Sequence, residues 1–208
     1  EDIIAGMGLE YTEFDGQIGS GEYLGFLLDP VAMAEFDVIF FNCGAAMGWA
    51  YTDPAPVLSN IREFVANGGS IYASDWAYYY VEAAFPSYID FYGQDDVYGS
   101  PQVGDRGSLS GRVLDPAIEL IIDSAWADIN FDLEMWAVME SVNSETDVLI
   151  SANVPVWAPS GLSLLNDAPI AAWFESGEGR VLYTAFHYEG DATTLDMMDI
   201  LEFYIANL

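Results

Sequence analysis

His187 is the only imidazole in the chain, and Glu189 follows it at i+2, a spacing that turns both side chains to one side of an extended backbone. Asp75 closes the apolar run Ser70 to Ser74, and strands of an open α/β sheet end at a common edge, so it can face the same crevice. The constellation is acid, imidazole, acid. A histidine base serves to activate a neutral thiol or hydroxyl, whereas an aspartate is already ionised at neutral pH and gains little from it. Two carboxylates around one imidazole favour the imidazolium instead and lock a polar network. The catalytic alternatives are Asp75 attacking while His187 activates water, or Ser74 as the nucleophile. A metal held there would have a single histidine, which makes a transition-metal donor set harder to complete.

Ser74, Trp76, Tyr78 and Cys43 are candidate ligand-binding residues around that edge. Trp76, Tyr78, Tyr79 and Tyr80, followed by Phe85, Tyr88, Phe91 and Tyr92, carry more ring surface than a helix can leave in water, so most must pack. Rings left beside the crevice would suit a sugar or a protein partner. Cys43 is the lone cysteine, which permits no internal disulfide, and it reads as a small buried hydrophobe at a strand end.

Asp128, Asn130 and Asp132 alternate in a pattern that begins like a calcium loop. Leu133 stands where the turn glycine belongs and Met139 where the closing glutamate belongs, so the EF-hand pattern fails. The simpler reading is a strand with one wet face and Ile129, Phe131 and Leu133 pointing inward. Calcium at these three residues, or among Asp90, Asp95, Asp96 and Asp105, is the one ion the pattern admits; no other cofactor is expected.

The elements that must position these residues alternate along the chain. A nearly continuous apolar run from Phe36 to Asn42 predicts a strand buried on both faces. Val57, Leu58, Ile61, Phe64 and Val65 form one helical stripe that stops at Gly68-Gly69. Ser70 to Ser74 is the next strand, and Trp76 to Phe85 a helix ending before Pro86. Asp29-Pro30, Asp53-Pro54 and Asp115-Pro116 each offer a capping carboxylate and a proline at the first helical position. Pro86 to Arg112 has no sustained period and predicts a surface excursion. Later strands are expected over 134–141, 147–152, 170–175 and 180–186, the last two joined by a four-residue hairpin loop, Ser176 to Gly179. A closing helix is expected to place Leu195, Met198, Leu201, Ile205 and Leu208 on one apolar face. At the start, Asp2 to Glu10 suits a helix and Glu10 to Asp15 a strand, so a first strand before residue 1 is expected to be missing and the chain to be a fragment. Residues 1–208 read as one domain without internal repeats.

The chain sets 34 acidic side chains against four arginines and no lysine, for a formal charge of −30. Phosphate backbones and anionic membranes are repelled, which excludes nucleic-acid partners and direct membrane binding. Absent lysine also excludes Schiff-base chemistry and a phosphate loop ending in Gly-Lys-Ser. Such an acid excess fits the cell exterior or a halophilic cytoplasm, and the high aromatic content favours the exterior. Self-association would have to offset like-charge repulsion and so should strengthen with salt or calcium.

The strand Phe36–Cys43, the helix ending Gly68-Gly69, the segment Ser70-Ile71-Tyr72-Ala73-Ser74-Asp75-Trp76-Ala77-Tyr78 and the late segment Val181 to Glu189 together resemble the class I glutamine-amidotransferase-like superfamily. Within it the chain is most similar to trehalose-utilisation-like domains and to secreted bacterial proteins with a similar Ser-Asp-Trp-Ala-Tyr turn. The resemblance spans roughly residues 30 to 208, without Pro86–Arg112. Active members of the superfamily carry a cysteine on a sharp strand-to-helix turn, served by a His-x-Glu pair. His187 and Glu189 match the pair, while Asp75 falls at the turn and replaces the nucleophile. The expected fold is a flavodoxin-like three-layer α/β sandwich, its sheet mainly parallel with an antiparallel edge hairpin. The expected function is a catalytically degenerate module, extracellular, that binds a protein or carbohydrate partner or assembles; the alternative is a hydrolase of a small or carbohydrate-derived substrate using Asp75, His187 and Glu189.

Overall fold

A computed structural model describes residues 2–16, 21–43, 54–95, 97, 99–188 and 190–208. Asp53, Asp96 and Glu189 lie outside the described residues, and with them the middle Asp-Pro cap, part of the acidic loop cluster and one member of the expected triad.

The chain opens with α1 (Asp2–Gly6), α2 (Gly21–Leu27), α3 (Pro30–Met33), β1 (Val38–Phe41), α4 (Ala55–Ala66) and β2 (Ser70–Ser74). A 3₁₀ turn over Asp75–Ala77 leads into α5 (Tyr78–Ala84), followed by β3 (Ile89–Phe91), β4 (Gln102–Val113) and α6 (Pro116–Ile122). The rest is β5 (Trp126–Ala137), β6 (Met139–Val142), β7 (Thr146–Ala158), β8 (Gly161–Ser176), β9 (Gly179–Thr184), a 3₁₀ turn Gly190–Ala192 and α7 (Leu195–Asn207).

Seven strands form the main sheet in the order β1-β2-β9-β8-β7-β4-β5, and β3 pairs with β6 in a small antiparallel sheet. The β1-β2-β9 part is parallel; from β9 through β8, β7, β4 and β5 every pairing is antiparallel, so that portion extends well past the expected hairpin. Along β2 the side chains alternate between two helical layers. β2 packs against α4 and α5, and on its other side Tyr72 borders a cavity with Leu201 and Ile205 of the terminal helix, while the Ser70 hydroxyl donates to the Leu208 carbonyl at 2.9 Å. Both faces are therefore covered, which is why all five β2 residues are buried. The architecture is a flavodoxin-like α/β sandwich.

Local chemistry explains several boundaries. Asp29 caps α3 through Val31 N–H and Ala32 N–H, and Asp115 caps α6 through Ala117 N–H, each followed by proline. The α4 stripe is buried as its period predicts, all five apolar residues facing inward.

Four expectations change. Pro86–Arg112 is not simply an excursion, because its second half is β4, paired with β5 on one side and β7 on the other. Residues Glu10 to Asp15 form no strand. In α7 the buried positions are Met197, Ile200, Leu201 and Tyr204, an i, i+3, i+4, i+7 set rotated from the expected face, which leaves Leu195 78% exposed. The β8–β9 hairpin is tighter than a four-residue loop, since Ser176 pairs directly with Gly179.

That tight turn rests on two glycines. Gly177 has φ +70°, and a Cβ there would lie 2.6 Å from the Ala66 backbone. At Gly179 a Cβ would lie 2.1 Å from the Gly69 carbonyl oxygen and 2.3 Å from that of Val65, so α4 could not close over the hairpin. Gly179→Ala is expected to cost about 2 kcal/mol, as overpacking against immovable backbone does, and urea denaturation would read it as a lower midpoint with an unchanged slope.

Candidate functional site

The site forms where β1, β2 and β9 end together. β1 and β2 run parallel with a constant offset, Val38 opposite Ser70 through Phe41 opposite Ala73, and two residues further this register brings Cys43 beside Asp75. On the other side Ser74 pairs with Thr184 of β9, three residues before His187. The Ser74 hydroxyl accepts from the Cys43 backbone N–H at 3.2 Å, tying the two strand ends together.

Asp75 is 1% exposed and has φ +44°, a left-handed conformation that aspartate tolerates better than most side chains. Its backbone carbonyl accepts from the Tyr183 hydroxyl at 3.0 Å, and its Oδ1 accepts from Ala137 N–H at 2.9 Å. Its Oδ2 lies 3.6 Å from Cys43 Sγ and 3.5 Å from His187 Nδ1. On the far side of the ring, His187 Nε2 is 3.6 Å from Asp132 Oδ1. The imidazole is thus set between two carboxylates, Asp75 and Asp132, while Glu189, the second acid the sequence suggests, lies outside the described residues.

Burial governs the proton affinities here. Desolvation raises the Asp75 carboxyl above its ordinary value, opposed by His187 and by the Ala137 N–H. Desolvation, reinforced by the Asp75 charge, pushes the Cys43 thiol up from 9.0 to about 12. At neutral pH that sulfur is a thiol, and a thiol is not the attacking species.

A cavity of about 470 Å³ adjoins the cluster, walled by Cys43, Ser74, Trp76, Leu133, His187 and Tyr188 on the site side and by Ile3, Leu201 and Ile205 of the terminal helices opposite. Asp75 is not on its wall. Among Asp75, Phe131, Asp132, Trp136 and His187 the side chains close together and leave no room for a water-sized group.

The structure therefore gathers Asp75, His187, Cys43, Ser74 and Trp76, the indole N–H of Trp76 donating to the Met135 carbonyl at 3.0 Å. Cys43 is half-buried and touches both the carboxylate and the cavity, so it is more than the buried hydrophobe its sequence context implies. Tyr78 belongs elsewhere: it is fully buried against Phe91, and its hydroxyl accepts from Gly99 N–H at 2.8 Å. Asp128, Asn130 and Asp132 do form a half-wet strand, β5, with Ile129 and Phe131 buried and Leu133 half-buried. They do not converge as calcium ligands, because alternate strand residues stand about 6.6 Å apart. Asn130 instead donates to the Ala192 carbonyl and accepts from the Ser108 hydroxyl.

Sequence reasoning missed Ala137 and Tyr183, which hold Asp75, and the turn of Asp132 toward His187. The first two leave no signal, being a backbone donor and an ordinary core tyrosine. The third was visible as the alternating acids of β5, without the topology that aims them.

The fold is an α/β sandwich that gathers a polar cluster at the ends of β1, β2 and β9. No family model matches the chain, and no curated protein matches it in sequence. Among solved structures it is similar to a cytoplasmic protein from Salmonella typhimurium, with a TM-score of 0.60 at 12% identity over 100% of this chain and 84% of the other. It is also similar to a candidate GMP synthase component from Thermoplasma acidophilum, with a TM-score of 0.58 at 9% identity over 97% and 82% of the two chains. A ThuA-like protein from Parabacteroides merdae gives 0.55 at 14% identity over 97% and 79%. At these identities the likeness is one of fold.

Proposed function

We propose that this protein is a catalytically degenerate amidotransferase-like module that binds a small ligand or a partner group in the cavity beside Cys43 and His187. The observation that carries the reading is the state of the strand-end turn. Where the superfamily resemblance implies a thiolate facing its substrate, this chain has a buried carboxylate engaged by Ala137, His187 and Cys43 and set back from the cavity wall. A nucleophile has to reach its substrate, and Asp75 lacks the room to do so. The cavity itself is of ligand size, with apolar walls and a few polar groups at one end. On this proposal the module works outside the cell, where its charge of −30 keeps it soluble and lets salt or calcium promote association.

Two measurements test the reading together. Glutaminase, amidase and esterase substrates should show no turnover above background, and alkylation of Cys43 at neutral pH should run well below the rate of a free cysteine. A thermal-shift screen of sugars and small metabolites should meanwhile find ligands that raise Tm. Turnover that Asp75→Asn abolishes would establish the hydrolase instead.

A further inference from the structure

We propose that Cys43, Asp75 and His187 form a binding site for a zinc-class divalent cation, with Asp132 as the outer carboxylate that orients the histidine. This stands whether or not the cavity takes an organic ligand.

The spacing of the donor atoms is the first argument. A tetrahedral zinc with a Zn–S distance of ~2.3 Å and Zn–N and Zn–O distances of ~2.0 Å has donor-to-donor edges of ~3.5 Å for S to O and ~3.3 Å for N to O. Cys43 Sγ is 3.6 Å from Asp75 Oδ2, and His187 Nδ1 is 3.5 Å from the same oxygen. All three donor atoms lie within 4.8 Å of one another. Among the described residues no other group of three or more His, Cys, Asp or Glu side chains meets that condition.

The surroundings are the second. A histidine that ligates through one ring nitrogen is fixed by a carboxylate on the other, and Asp132 Oδ1 faces His187 Nε2 at 3.6 Å while Nδ1 faces the cluster. Each ligand is held from behind: Cys43 through its N–H to Ser74, and Asp75 through Ala137 N–H and the Tyr183 hydroxyl.

Charge and access complete the argument. Binding releases the Cys43 thiol proton to solvent, and the resulting thiolate with the Asp75 carboxylate balances a dication beside neutral imidazole. Thiolate selects zinc-class ions over calcium and magnesium. Cys43 and His187 both border the 470 Å³ cavity, so a water or small anion can supply the fourth ligand from there.

The test uses Co²⁺ as a spectroscopic stand-in, added to the reduced, chelator-treated chain in excess calcium so that surface carboxylates are occupied. One equivalent should produce a near-ultraviolet thiolate-to-cobalt charge-transfer band and the strong visible bands of a tetrahedral ion, both displaced by one equivalent of Zn²⁺. Cys43→Ser should lose the charge-transfer band, and Asp132→Asn should weaken Zn²⁺ binding about 10- to 100-fold. A wild-type spectrum with only weak octahedral bands and no charge transfer overturns the proposal, and so does zinc affinity unchanged in Cys43→Ser. Because the wild-type spectrum decides alone, a variant that fails to fold does not protect the idea.

Discussion

Asp75→Ala is expected to lower stability by about 3 kcal/mol, because it strips a buried cluster of the group that several partners share. The Ala137 N–H loses its acceptor and stays buried, a penalty of about 1 to 3 kcal/mol. The His187 ring loses one of the two carboxylates that flank it, and alanine at φ +44° adds strain that aspartate avoids. Asp75→Asn should behave differently. The amide oxygen can still accept from Ala137, asparagine tolerates the same backbone region, and burial already disfavours the charged carboxyl, so the expected cost is about 1 kcal/mol or less. Urea denaturation of the two variants, with chelator present throughout, separates them. Equal losses would mean that the negative charge, and not the hydrogen-bonded shape, holds the cluster.

The second large effect is alkaline. Tyr72 is fully buried, its hydroxyl within hydrogen-bonding distance of Thr184 Oγ1 at 2.8 Å, and burial pushes it up from 10.0 to about 12. Cys43 moves from 9.0 to about 12 for the same first cause. Tyr23, Tyr183 and Tyr204 are also raised by burial. The unfolded chain gives up these protons near their ordinary values while the folded chain keeps them. Their contribution is therefore fully present below about pH 9 and is lost as pH rises toward about 12. Tyr72 alone accounts for about 3 kcal/mol over that window. Denaturation midpoints for the metal-free protein should fall steeply between those limits, and Tyr72→Phe should flatten the decline by its share. A midpoint that stays level to pH 12 would show that these groups ionise without unfolding the chain.

Much of the frame that positions the site is legible in the residues. The β2 strand and the α4 helix follow directly from apolar runs and a helical stripe, and Asp29 and Asp115 declare their caps. β4 hid for a physical reason. Gly104, Gly107 and Gly111 give it the composition of a loop, yet two of them are there because neighbours demand it. A Cβ at Gly104 would sit 2.3 Å from the Trp136 ring, and one at Gly111 2.7 Å from Ile150. The glycines mark close packing across the sheet, which composition cannot distinguish from a turn.

The site divides the same way. Asp75 and His187 can be picked out from residue type and position. Cys43 cannot be placed beside them without the β1 to β2 register, because the two are 32 residues apart and only parallel pairing brings them together. Asp132 depends on a strand from the antiparallel end of the sheet reaching back over the parallel end, a long-range arrangement that no local pattern encodes.

The outer strand β5 carries one further consequence. A terminal strand normally offers a row of free amides and carbonyls, but here Asp128 N–H is taken by the Asp196 carboxylate, Asn130 N–H by Met197 Sδ, and the Asp128 carbonyl by the Thr194 hydroxyl. Asp128, Asp132 and Glu134 add negative charge along the same strand. Over Asp128 to Asn130 this rim is closed to an added strand, so copies of the protein meeting at that stretch must join through side chains rather than by extending one another's ladders.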